Sequence, residues 1–309
     1  VLEDLNLSLT RDLALKETLG AISALPKGKA PGHDGVPMEF FHECAQKVAP
    51  NLLLAFKAML NAGDTFAFIN KGLITLIPKS GDQARLNNWR PITLLGSIYK
   101  ILAKVLAERI QAALPNIIRP NQTEFVEGRS ILDNVFMAQE ALEWAEESDQ
   151  DLVLLLLDFE KAFDRIEWDF LFMALTKLGF SDTWVRWVRS LYHAASSTIK
   201  VNGAIGPEFQ LSRSVRQGCL LAPYLFILAT DVLGHMLADP RHGVEGLALP
   251  RGGFIRDQTF ADDTALYLKG SLPNLDKAQR VLKTFCQASG TKINWHKTVA
   301  IWASKKEIA

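Results

Sequence analysis

Apolar residues first recur at helical spacing at Leu15, Leu19, Ile22 and Leu25, and Pro26 closes the helix they predict. After the turn-rich basic segment Lys27 to Pro37, the pattern predicts a second amphipathic helix from Phe40 to Ala49 and a third from Asn51 to Asn61. Residues 72–78 (GLITLIP) are compact and β-branched, which predicts a strand. Two more helices are predicted over about 97–114 and 131–147, the second rich in Glu on its outer face. LVLLLLD (152–158) is a continuous apolar run too short for a helix of its own, and reads as a buried strand. Asp164, with Glu167 three residues later, reads as a cap for a helix starting there. Residues 198–202 and 207–211 are expected to pair across Gly203 and Gly206, and a helix should run through Leu225 to Leu237. QTFADDTALYLKG (258–270) predicts two short strands meeting at Asp262-Asp263, and a last helix over about 274–289 leads into one more strand. With no repeat, low-complexity tract or linker, the pattern describes one interleaved α/β unit.

Composition narrows the class. The chain has 309 residues and 48% hydrophobic content, ample for a core. Its longest aliphatic run, Leu152 to Leu157, falls far short of the roughly 20 residues that span a bilayer, so a soluble protein is expected. No signal-peptide pattern marks the start, and Val1 in place of Met suggests a piece of a longer protein. Cys44, Cys219 and Cys286 have no metal-ligand or disulfide-framework spacing, which favours a reducing setting.

Net charge is zero, an argument against a nucleic-acid binder, yet the charges are unevenly placed. Nine Lys and Arg fall between Lys71 and Arg129 against Asp82, Glu108, Glu124 and Glu127, and an acidic stretch from Glu140 to Asp151 follows. Two readings stand: a basic lobe that holds phosphates beside an acidic one, or ordinary solvated faces.

The candidate chemistry lies in three carboxylates. Asp158 ends a buried strand, and Asp262 and Asp263 share the tip of a hairpin. Adjacent carboxylates repel one another, and a cation relieves the cost. Mg²⁺ prefers oxygen ligands, and two such ions activate an attacking hydroxyl and stabilise the leaving oxygen in phosphoryl transfer. A DD pair at a turn is also common solvated turn chemistry, so the pair alone decides nothing.

Its sequence context is more specific. LLLLDFEKAFDRIEW (154–168), SVRQGCLLAPYLFIL (214–228), FADDTALY (260–267) and FCQASGTKINWHKT (285–298) resemble, in order, the palm motifs of reverse transcriptases. PKGKAPGHDGVPMEF (26–40), LITLIPKSGD (73–82), NWRPITLLGSIYKILAKVLAERI (88–110) and NQTEFVEGRSILDN (121–134) resemble the N-terminal and fingers segments of the non-LTR, LINE-type enzymes. These eight ordered blocks cover almost the whole chain.

The resemblance implies a right-hand polymerase fold of the α/β (α+β) class, with fingers, a palm and an antiparallel palm sheet carrying the acidic site. It divides one reverse transcriptase domain into a helical extension (1–70), mainly fingers (71–150) and mainly palm (151–309), with the thumb absent. Asp158 and Asp262 would be shared ligands of Mg²⁺ or Mn²⁺, with Asp263 completing the acidic site. Phe163 stands where the family keeps an aromatic gate against the ribose 2′-hydroxyl; the bland alternative is a core aromatic. Gln217 and Gly218 match a segment lying against the incoming nucleotide and template, although the glycine could simply shape a turn. Lys79 and Arg90 would clamp the triphosphate, or else be solvated loop charges. Lys297 matches a lysine proposed as general acid for pyrophosphate departure. Asp164 is left to its capping role and His33 to a turn, while Gly128-Arg129 would touch template backbone or form a salt bridge.

The implied reaction is RNA-directed DNA synthesis from dNTPs on an RNA template and a DNA primer, inside the cell, in nucleus and cytoplasm, with no membrane partner and no indicated oligomeric state. Ser214, Leu220 and Ala222 stand where Gly, Pro and Ser are common, a departure that suggests backbone strain at Ser214 or a decaying copy. A non-enzymatic nucleic-acid-binding remnant and a maturase-type enzyme remain alternatives. A nucleotide cyclase does not need the blocks at 73–110.

Overall fold

The computed structural model describes residues 3–304. Its strands are β1 (Lys71–Pro78), β2 (Trp89–Leu95), β3 (Leu152–Leu157), β4 (Ser196–Val201), β5 (Ala204–Ile205), β6 (Phe209–Gln210), β7 (Leu247–Ala248), β8 (Phe254–Ile255), β9 (Asp257–Phe260), β10 (Asp263–Lys269) and β11 (Val299–Ala303). With the helices between them they make a mixed α/β fold of two compact units. One takes the chain up to Ala113 together with Leu175–Tyr224, the other Leu114–Ala174 together with the chain from Leu225 onward.

The first unit joins the N-terminal helices to a sheet ordered β2-β1-β4-β5, with β6 also paired to β4. β1 runs antiparallel to β2 and parallel to β4. Helix Leu15–Ala24 ends before Pro26 as its spacing requires, burying Ala21 and Ile22. The two following helices break at Cys44 rather than at Pro50. Met38–Glu43 is separate, and Ala45–Ala62 runs straight through the proline. Interior proline costs about 3 kcal/mol. Burial of Leu52, Phe56, Met59 and Leu60 outweighs it, each side chain contributing roughly 1.5–3 kcal/mol.

The pairing expected across Gly203 and Gly206 has a tighter turn. Val201 faces Ala204, and Asn202 and Gly203 carry φ of 50° and 84° between them, the positive values of a type I′ hairpin. β6 pairs separately with the start of β4, Ser197 opposite Phe209.

In the second unit β11-β3-β10-β9 form a wholly antiparallel sheet. Helix Ile131–Glu147 lies on one face, where Ala141 and Ala145 pack with Leu152, Leu154, Tyr267 and Ala303. Ser130 caps this helix, its hydroxyl accepting from the Leu132 amide while Asp133 accepts from the Ser130 amide. Helix Leu272–Ser289 packs against β10 and ends on Gly290 at φ 75°. Asp164 lies in the first turn of the one-turn helix Ala162–Arg165, and Glu167 is the residue that precedes helix Trp168–Lys177.

The basic run at 71–129 does not form one outward field. Arg109 is 3% exposed and holds Glu17 at 2.8 Å, and Arg119 is spent on the buried Asp231 and Asp257. Lys71 pairs with Glu208 and Lys104 with Glu108. Among the described residues Arg129 forms no ion pair, and its guanidinium donates to the carbonyls of Ile118, Arg119 and Gln122. All three cysteines are free, and no helix among the described residues is long and apolar enough to cross a membrane.

Candidate active site

The acidic positions gather through strand register. β3 is apolar from Leu152 to Leu157 because its middle is covered, and Asp158 is the first polar residue as the chain leaves the sheet. On β10 the last pair is Thr264 with Leu157, so the next step sets Asp263 level with Asp158. Directly opposed residues of an antiparallel pair share a face. The groove of about 520 Å³ at this end of the sheet is lined by both carboxylates, with Lys297, Leu156, Phe260 and Val299. Ala141 and Ala145 of helix Ile131–Glu147 cover the far end of that face, while Ile131, Asn134, Val135 and Ala138 of the same helix wall the groove, where Leu156 is 40% exposed.

Asp262 occupies the turn. Phe260 pairs with Asp263, leaving Ala261 and Asp262 as a two-residue loop with Ala261 at φ 54°. A left-handed non-glycine residue is strained, and such strain clusters at functional turns. Neighbouring chain holds the turn: the Ala261 amide donates to Gln122 Oε1, and the Thr259 amide to the Asn121 carbonyl. The Asp263 carboxyl is pushed above its usual range, first by partial enclosure, then by the charges of Asp262 and Asp158. The charges of Asp158 and Asp262 thus both reach Asp263, although Asp262 does not line the groove.

Lys297 comes to the site on the loop after helix Leu272–Ser289. The Asn294 amide donates to the Asp158 carbonyl at 2.8 Å, and Phe159 bridges Ile293. That zip places the Lys297 ammonium 4.0 Å from Asp158 Oδ2, with 71% of its side chain exposed. Phe163, half-buried in the helical turn after β3, lies flat on Phe226, with ring centroids 4.2 Å apart and planes 13° from parallel.

The remaining sequence-derived positions belong to the first unit. Lys79 and Arg90 are exposed near the tip of the β1–β2 hairpin. Arg90 faces Ile77, and the Lys79 amide donates to the Asn88 carbonyl, so the pleat puts both cations on one face. Gln217 accepts from the Thr93 amide at 2.9 Å. Gly218, at φ 116°, has room for no side chain, since a Cβ would lie 2.3 Å from the Thr93 carbonyl oxygen. The close approach that demands glycine here is to the protein's own β2. Ser214, where the resemblance expects glycine, adopts φ 93°, and its hydroxyl accepts from the Arg216 amide.

A divalent cation fits the donor set of the acidic site. Its oxygens are hard carboxylates, and partial burial, with the charges of Asp262 and Asp158 after it, raises Asp263. Among the described residues no group of three or more His, Cys, Asp or Glu side chains stands as a ready-made metal cluster. Mg²⁺ commonly takes one or two protein carboxylates and completes its shell with water and substrate phosphates. Sequence reasoning missed Phe226 behind Phe163 and the Arg119–Asp231–Asp257 network. Their partners are distant in sequence, and no local pattern marks them.

Comparison with known proteins agrees with the block resemblance. Residues 77–308 match the family model described as reverse transcriptase (RNA-dependent DNA polymerase). A 149 kDa protein of transposon TX1 from Xenopus laevis is 32% identical over 291 residues, 94% of this chain and 22% of the relative. The RNA-directed DNA polymerase from mobile element jockey of Drosophila funebris is 24% identical over 282 residues, 88% of this chain and 29% of the relative. The chain thus spans about a fifth to a third of the length of these relatives. Among solved structures, telomerase from Candida tropicalis, in a complex with a fragment of telomeric RNA, superposes with a TM-score of 0.55 at 13% identity, over 87% of this chain and 45% of that one. That likeness is one of fold. Family model and relatives together make this chain a member of the reverse transcriptase family, related to the reverse transcriptases of non-LTR retrotransposons.

Proposed function

We propose that the chain performs template-directed nucleotidyl transfer as the RNA-directed DNA polymerase of a non-LTR retrotransposon, joining dNTPs to a DNA primer on an RNA template inside the cell. The observation that carries the reading is the meeting of Asp158 with Asp262-Asp263 at the open end of the antiparallel sheet. In this reading that sheet belongs to a palm and the β1–β2 hairpin to fingers. Asp158, Asp262 and Asp263 would hold Mg²⁺ or Mn²⁺, which when bound lowers the pKa of the attacking hydroxyl and neutralises charge at the leaving oxygen.

The chain's own groups supply the rest. Lys297, poised beside Asp158, holds a proton for the departing pyrophosphate. Phe163, held flat by Phe226, occupies the volume that a ribose 2′-hydroxyl would need. Lys79 and Arg90 neutralise the triphosphate, and Gln217 and Gly218, fastened to Thr93, lie against the new base pair.

The test is primer extension on an RNA template with Mg²⁺ or Mn²⁺, comparing the natural chain with Asp262→Asn/Asp263→Asn. Extension by the natural chain and its loss in the variant are expected, whereas equal incorporation by both overturns the assignment. The positive φ of Ser214 favours one second reading, an inactive nucleic-acid-binding remnant. Absence of extension by both proteins supports it.

A further inference from the structure

Helix Leu272–Ser289 and the loop after it form a second surface suited to nucleic acid. From Lys277 to Ser304 the sequence contains no Asp or Glu, while Lys277, Arg280, Lys283, Lys292 and Lys297 fall within it, in a chain whose net charge is zero. The fold concentrates three of these cations. Arg280 and Lys283 on the helix and Lys292 on the loop line a groove of about 500 Å³, with Leu282 and Ile293 beside Cys286 and Thr291. Among the described residues neither Arg280 nor Lys283 has an ion-pair partner, and Lys292 meets Glu160 at 3.1 Å.

Trp295 lines the same groove and is 55% exposed. Trp184 and Trp187 are buried, and Trp302 is 43% exposed, so Trp295 is the most solvent-facing tryptophan of the chain. An open indole beside unpaired cations matches what a single strand of nucleic acid requires: a flat surface for a base and positive charge for the phosphates on either side. A double helix offers no free base face, and an acidic peptide needs the cations but not the ring.

We propose that the groove between helix Leu272–Ser289 and loop Thr291 to Trp295 binds single-stranded nucleic acid, with a base stacked on Trp295 and phosphates on Arg280 and Lys283. The site is separate from the carboxylate groove. The loop that walls it donates the Asn294 amide to the Asp158 carbonyl and carries Lys297, so a strand held there sits against the segment that positions Asp158. This inference does not require the proposed polymerase activity.

The test measures binding of labelled oligo(dT) and oligo(rU), about a dozen nucleotides long, to the full chain by fluorescence anisotropy in EDTA, where metal-dependent chemistry is silent. Trp295→Ala should weaken binding by ~5-fold or more, and Trp295→Phe should retain most of it, because stacking on an aromatic is worth about 1–3 kcal/mol per base. Arg280→Glu/Lys283→Glu should weaken it further at low salt and reduce the log–log salt slope by about 1.4, at ~0.7 for each phosphate no longer neutralised. Binding by the natural chain should persist even if that chain fails in primer extension. Unfolding midpoints of the exposed-site variants should match the natural chain. Binding that is indifferent to both Trp295→Ala and the charge reversal overturns the proposal. So does equal competition by polyglutamate with no effect of Trp295→Ala, which would mark the groove as a docking patch for acidic protein.

Discussion

Phe163 rests face to face on Phe226, their centroids 4.2 Å apart. Phe226 is fully buried and Phe163 half-buried, so one ring is a fixed support and the other projects toward solvent. An aromatic held in this way has one available position, which is what a steric filter on sugars requires. Phe163→Val should reduce discrimination against ribonucleotides by ~10-fold or more, a change of about 1.4 kcal/mol in relative barrier. Phe226→Leu should loosen the same filter while leaving Phe163 in place. The measurement is the ratio of dNTP to NTP incorporation efficiencies, and unchanged ratios in both variants remove the gate from the proposed function.

Ser214 offers a stabilising substitution. Its φ of 93° lies where glycine is at ease and an L side chain is strained. The hydrogen bond from the Arg216 amide to its hydroxyl offsets part of that strain. Ser214→Gly should raise stability by about 1 kcal/mol, the low end of the cost of such a conformation, read as a higher denaturation midpoint at unchanged m-value. A lower midpoint would show that the hydroxyl contributes more than the backbone loses.

Arg119 binds two carboxylates that have no access to water. It reaches Asp231 at 2.9 Å and Asp257 at 2.6 Å, and those side chains are 0% and 3% exposed. Arg119→Ala should cost about 3–5 kcal/mol by taking the ion pair from the buried Asp257 and leaving Asp231 to His235, 3.4 Å away. Gly234→Ala should act through the same network, because its new Cβ would lie 1.5 Å from the Arg119 guanidinium. The double variant should be little worse than Arg119→Ala alone, and additive losses in urea unfolding would show that the two sites are independent.

Acid should unfold the N-terminal helices through Glu17. Burial pushes its carboxyl upward, but hydrogen bonds from the Arg109 guanidinium and the Ala14 amide, with the charges of Arg109 and Arg11, bring it down to about 2 from 4.5. A group depressed in the folded state stabilises fully above its unfolded value. That contribution, about 3 kcal/mol, should be present above pH 4.5 and lost as pH falls toward 2. Glu17→Gln should flatten the stability profile across that window, as followed by urea unfolding at successive pH values. A profile as steep as that of the natural chain would place the acid sensitivity elsewhere.

Much of the local structure was legible in the linear pattern. The run Leu152 to Leu157 announced a covered strand, FADD announced a hairpin tip, and Pro26 and Gly290 mark helix ends where the structure has them. These features are decided within a few residues, by side-chain alternation, φ limits and missing donors. Pro50 shows where such rules stop: its local cost was clear, but the buried stripe that outweighs it became visible only once Leu52 and Phe56 had neighbours to pack against.

The candidate site divides along the same line. The sequence by itself determined that Asp158 ends an apolar strand and that Asp262 and Asp263 share a tip, and its ordered motifs determined the family. Tertiary structure decided that Asp263 stands level with Asp158 in one groove, that Phe226 supports Phe163, and that Arg109 and Arg119 are internal struts rather than a phosphate-binding face. The physical reason is range. A residue's preference for helix, strand or turn is set by its covalent neighbours, whereas a carboxylate's charge environment and an arginine's partner are set by strand register and packing between segments far apart in the chain.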